Sequence, residues 1–168
     1  ITTGVANNWD PKASGSVAYI VAKDTQLIVT GDFGSMGGKT HLFTAIIDSA
    51  TASVSNWSPR SASGLKCVSF YGDKIYVGGG STSIGGYSIS SLIKVNINSM
   101  KISSWNSGIG GQVNCLEYLN NTLYVGGRFN IGGTNPRFGA AAFDVTTGNL
   151  KSWNPNPNST GEIFCLYP

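Results

Sequence analysis

Few residues in this chain could do chemistry. The stretch "LYVGGRFNIGG" at 123–133 crosses two glycine pairs after an apolar run, and such loops can wrap an anion in backbone N–H groups. "GGKT" at 37–40 adds the ending of a phosphate-binding loop, but Phe33 stands where that motif's first glycine belongs and no helical pattern follows. Of the three cysteines, Cys67 and Cys115 are 48 residues apart and Cys165 lies 50 further on. That spacing sets them in successive units of a repeat, too far apart for a disulfide. Tyr19 fills the same position one interval before Cys67. The eight carboxylates are scattered, and His41 is the lone histidine, with no Ser or Cys tied to it by spacing. No catalytic, metal-binding or cofactor-binding set emerges, and no cofactor is expected.

The elements that hold these residues obey one interval. Trp9, Trp57, Trp105 and Trp153 follow each other at steps of 48, as do Leu27, Ile75 and Leu123, which open "LIVTGDF", "IYVGGGS" and "LYVGGRF". Asp48, Asn96 and Asp144 close short apolar runs at the same interval. The spacing predicts four strands per unit, in the first unit near 17–23, 27–33, 42–48 and 52–57. No segment has a sustained helical period with caps.

Four short strands in such a unit, with Trp near the end of the last, describe a blade of an all-β propeller built from four-stranded antiparallel blades. The units are 10–57, 58–105 and 106–153, with an orphan outer strand at 1–9 and an orphan inner strand at 163–168. Three blades cannot close a ring, so the sequence is expected to be part of a larger propeller, completed by its parent chain or by further copies. In this reading the tryptophans pack between sheets. Gly79 and Gly127 sit where a side chain would collide with an adjoining sheet or a bulge, and Asp48 and Asp144 cap turns through their side chains. Asp24 and Asp73, with Asn121 nearby, serve the first hairpin in the same way.

Composition narrows the class of function. Only 11% of the 168 residues are charged, whereas Ser, Thr and Asn together number 49, so the polar surface is mostly uncharged. The net charge of +3 is scattered, with no basic track for nucleic acid. No apolar run is long enough to span a bilayer as a helix, and membrane insertion is not expected.

In up-and-down blades the longer connections, second to third strand and blade to blade, share one face. That face is the candidate ligand surface for a protein or glycan. Its non-repeating residues are Lys39, His41, Tyr87, Asn135 and Arg137, and Arg128 is a further residue that the other two units lack. Sequons at Asn56, Asn120 and Asn158 fit a glycosylated secreted chain.

The passage "LYVGGRFNIGGTNPRFGAAAFDVTTGNLKSWNP" resembles extracellular propeller repeats that read roughly Y-V-G-G-x-F, G-G, A-x-D, T-G and W-x-P in order. Bacterial delta-sixty-type repeats and fungal cortical polarity-marker propellers are similar. The third unit matches throughout, the first two more loosely. The resemblance implies a secreted, surface-attached or virion protein, a recognition or scaffold module, and no catalytic residue. The expected function is a non-catalytic platform for binding or adhesion. The alternatives are a sugar-processing propeller with its site elsewhere, or an architectural part of a fibre.

Overall fold

The structure is a computed structural model, and it describes residues 7–58, 65–80, 83, 84, 87, 88, 91–99, 101–155, 157 and 161–167. Strands β1 (Ser16–Lys23), β2 (Gln26–Asp32) and β5 (Thr44–Asp48) form sheet one, and β3 (Ser35–Met36) pairs with β4 (Lys39–Thr40) beside it. Sheet two holds β6 (Leu65–Tyr71), β7 (Lys74–Gly79) and β10 (Leu92–Asn96), with β8 (Ser83–Ile84) and β9 (Tyr87–Ser88) as its short hairpin. Sheet three holds β11 (Gly110–Leu119), β12 (Thr122–Ile131) and β13 (Arg137–Asp144). Every pairing is antiparallel, and no helix occurs among the described residues.

The pairing register recurs with the sequence interval. Leu27 faces Ile47, Ile75 faces Val95, and Leu123 faces Phe143. Each first hairpin closes on a two-residue turn, between Lys23 and Gln26, Tyr71 and Lys74, and Leu119 and Thr122. The first turn residues Asp24, Gly72 and Asn120 all have positive φ, the conformation such turns demand and Asn, Asp and Gly tolerate best. The first strand of each sheet, β1, β6 and β11, is also bulged at one place, after Val17, Leu65 and Val113.

Those bulges explain the glycine pair in the middle strand. Gly31, Gly79 and Gly127 lie opposite the residue before the bulge. A Cβ on Gly31 would come within 2.8 Å of the Val17 Cα, and one on Gly127 would overlap the Gln112 carbonyl. Gly78 and Gly126 have another task. A Cβ there would meet Val113 Cγ1 at 2.6 Å and Ile163 Cγ2 at 2.7 Å, side chains of the next inner segment along. The second glycine thus admits the bulge of its own sheet, and the first admits the neighbouring sheet.

The outer strand is shorter than its predicted span. It reduces to single bridges, Ile47 to Val54, Val95 to Ile102 and Phe143 to Leu150, flanked by main-chain bonds such as Ser55 N to Ile46 O at 2.9 Å and Lys151 N to Ala142 O at 2.8 Å. Beyond the bridge the chain turns away to insert its tryptophan, which takes the backbone out of the ladder. Segment 161–167 has no assigned strand, although Ile163 N donates to Gly127 O at 3.1 Å. Residues 1–6 of the expected orphan outer strand lie outside the described residues.

The core lies between sheets. Ile28 and Ile46 of sheet one pack with Val68, Ile75, Val77, Ile93 and Val95 of sheet two. On the opposite side of sheet two, Tyr76 and Leu92 pack with Leu116, Leu123, Ala141 and Phe143 of sheet three. The alternation along each middle strand assigns these faces, as a period of two requires. Burial of equivalent residues records where this stacking stops: Val68 and Leu116 are 1% and 4% exposed, whereas Ile20, one interval before Val68, is 55% exposed.

Candidate functional site

The third-to-fourth-strand turns are the most regular polar feature. Asp48 Oδ1 accepts from the Ala50 and Thr51 amides and the Thr51 hydroxyl, at 3.1, 2.8 and 2.8 Å. Asn96 Oδ1 accepts from the Asn98 and Ser99 amides and the Ser99 hydroxyl, and Asp144 Oδ1 from those of Thr146 and Thr147. The bonds from Thr51, side chain first, hold the Asp48 carboxyl below the usual aspartate range, and the Thr147 amide is the largest cause of the same shift at Asp144. Both carboxylates are engaged in holding turns.

The six loop-face candidates fall into different settings. Arg137 is 6% exposed, and its guanidinium donates to four carbonyls: Trp153 at 3.2 Å, Asn135 at 3.2 Å, Pro136 at 3.1 Å and Lys151 at 2.8 Å. It ties the start of β13 to the outer segment, and its donors face the backbone. His41 is 1% exposed, and neither ring nitrogen has a hydrogen-bond partner. The carbonyls of Ser55, Trp57 and Thr44 lie beside it. Burial first, then the Lys39 ammonium, hold its pKa below the ordinary value of 6.5. Lys39 itself reaches back to Val54 O at 2.6 Å. Arg128 and Asn135 are exposed, on β12 and in the turn before β13. Tyr87 lies in β9, and its side chain is outside the described residues.

His41 and Arg137 are 96 residues apart, two intervals, and so are Ser55 and Lys151, and Trp57 and Trp153. These two residues, non-repeating in type, are therefore one position in two units, each buried beside the equivalent two carbonyls. The 48-residue interval is sufficient to pair them, but their different chemistry conceals the equivalence. A groove of about 510 Å³ lined by Asn135, Arg137, Leu150, Lys151, Ser152 and Asn154 opens over the third-sheet version.

The tryptophans occupy sheet faces. Trp9, Trp57 and Trp105 pack against the clusters of sheets one, two and three in turn. Trp105 stands edge-on to Tyr76 at 5.9 Å and to Phe143 at 5.4 Å, and its Nε1 donates to Gly148 O at 2.9 Å. Tyr124 and Trp153 repeat the first of these contacts at 5.1 Å. Trp153 is 37% exposed, and together with Leu119, Tyr124 and Tyr167 it lines an apolar hollow of about 220 Å³.

Cys67, Cys115 and Cys165 are free thiols. Cys67 is buried and its pKa is raised by that burial, and burial with Cys165 nearby pushes Cys115 up to about 11. Both are poor nucleophiles at neutral pH. The Tyr19 hydroxyl is raised by burial, then by Glu117, Cys67, Cys165 and Cys115. The first strands of successive sheets lie beside one another, β1 against β6 and β6 against β11. No cluster of three or more His, Cys, Asp or Glu side chains suited to a metal occurs among the described residues. Asn56 and Asn120 are exposed, and Asn158 lies outside the described residues. Comparison with protein-family models and with curated proteins returns no match for the chain.

Proposed function

We propose that the chain is a three-blade arc of a β-propeller in a larger extracellular, cell-surface or virion protein, a non-catalytic platform that holds its loop face rigid for a protein or glycan partner. One observation carries the reading: Val113 seats on Gly78 and Cys67, and Ile163 seats on Gly126 and Cys115 in the same manner. Sheets whose first strands stack side by side by a repeated contact suit blades around an axis. The open faces at Ile20 and at Trp153 are where further blades fit.

The non-catalytic part of the reading follows from how the reactive groups are used. Asp48 and Asp144 hold turns, Cys67 is buried, and Arg137 binds backbone. What stays available on the loop face is mostly uncharged, with isolated charges of both signs such as Asp10, Lys12, Asp32 and Arg128, which suits recognition of a neutral, hydroxyl-rich or polar surface.

Surface biotinylation of intact producing cells or particles, followed by a glycan and surface-protein binding screen, tests the platform. Substituting Arg128 and Asn135 together should weaken any binding found while leaving the melting temperature unchanged. Binding lost instead on changes at the hairpin turns of the opposite end, such as Asn120, would overturn the assignment of the face. A protein found only in the cell interior would overturn its setting.

A further inference from the structure

We propose that His41 is an acid-sensitive latch on the outer edge of sheet one, the titrating counterpart of the permanent latch that Arg137 provides in sheet three. The two share a position, each nine-tenths or more buried and each beside the carbonyls of the outer segment. Arg137 fills its site with a cation that makes four hydrogen bonds to backbone carbonyls. The imidazole of His41 is buried with neither nitrogen hydrogen-bonded, and the carbonyls beside it offset the burial of a charge only in part, so its site holds a neutral ring more readily than a cation.

The charged groups around the ring point the same way. Lys39, from the β3–β4 hairpin, is the charged side chain among the described residues that acts on it, and repels a second cation. The outer segment 53–57 carries no ionisable side chain, and β5 carries only Asp48, at its far end. Asp10 and Lys12 flank the segment that packs on the hairpin through Pro11 O and Gly37 N at 2.7 Å, and neither acts on His41. The carbonyls of Ser55, Trp57 and Thr44 favour protonation, but less than burial and Lys39 oppose it.

The direction of the effect follows by linkage. The folded pKa is depressed, so the folded state binds the proton less readily than the unfolded one. The stability contributed by neutral His41 is complete above the ordinary value of 6.5 and is lost as pH falls from there to the folded pKa. Acidification therefore loosens the edge that holds Ser55 to Ile46 and Lys39 to Val54. Sheet three keeps its edge, because a guanidinium does not titrate in this range.

The molecule contains its own control. Amide exchange at Ser55, bonded to Ile46 O, is compared with exchange at Lys151, bonded to Ala142 O, at pH 7.5 and 5 after correction for intrinsic rates. Protection at Ser55 should fall relative to Lys151, by at most about tenfold per pH unit for one proton. The difference should vanish in His41→Arg, which carries the chemistry of Arg137, and in His41→Gln. Equal changes at the two amides, or a difference that persists in both variants, would overturn the proposal. If neither variant folds, the imidazole titration in the unaltered protein decides: a pKa at or above 6.5 would overturn it, and a depressed one would support it.

Discussion

Asn96 donates through Nδ2 to the Oδ2 of Asp73, and one interval later Asn121 donates to Asp144 at 3.2 Å, so the same bond is made with the two residue types exchanged. The backbone around it is constant. The residue after each third strand donates to the second residue of the first hairpin turn: Ser49 to Thr25, Ile97 to Asp73 and Val145 to Asn121. A hydrogen bond needs one donor and one acceptor at these positions, in either order. Asn96→Asp alone, which sets two acceptors against each other with no donor, should therefore lower the denaturation midpoint, and adding Asp73→Asn, which restores a donor, should recover most of the loss. A double variant no better than Asn96→Asp alone would contradict this pairing.

Acid titration separates the polar turns from His41. Asp48, Asp73 and Asp144 all have folded pKa values below the ordinary 3.8. Their contribution is present above that value and lost as pH falls through the folded values. Denaturation midpoints measured from pH 7.5 to 2 should fall in two separate ranges, one beginning near 6.5 and one below about 4, and the lower one should weaken in Asp144→Asn.

The glycine pair predicts unequal costs for equal chemistry. Gly127→Ala drives a Cβ into backbone and should destabilise by about 3 kcal/mol. Gly132→Ala, where a Cβ would meet nothing within 4 Å, should be within about 0.5 kcal/mol of neutral. Chemical denaturation of the two variants checks the contrast.

Arg137→Lys should be nearly as damaging as Arg137→Met. A lysine cannot span the carbonyls of Pro136, Lys151 and Trp153, and a buried ammonium left short of partners costs about 3 kcal/mol. A lysine variant of unchanged melting temperature would show that the four bonds are dispensable.

How far the sequence could be read depended on recurrence of type. The tryptophan interval set the registers, and Asp48, Asn96 and Asp144 could be read as turn caps because Asp and Asn offer the same acceptor oxygen. The glycine pair was legible as close approach, but the division of labour between Gly126 and Gly127 needed the bulge and the neighbouring sheet. Position 41 was missed for the opposite reason: His41 and Arg137 perform comparable packing with unlike chemistry. An interval is visible in a sequence only where residue type repeats, so a position that keeps its place but changes its type reads as a candidate for binding. The outer strand was overestimated because insertion of a tryptophan between sheets is a tertiary event that local strand propensity does not record.

Trp105 and Trp153 should respond differently to truncation. Trp105→Ala removes a ring held between two sheets and should cost about 3–5 kcal/mol. Trp153→Ala should cost clearly less, since the ring is 37% exposed and no sheet among the described residues covers it, with thermal denaturation as the readout.

The reading of three consecutive propeller blades is tested most directly by determining the structure of the full natural gene product. It predicts sheets radiating from an axis with β1, β6 and β11 innermost, and with Ile20 and Trp153 covered as Val68 and Trp105 are covered here. Sheets stacked along a straight line, or both side chains left in solvent in a monodisperse particle, would contradict it.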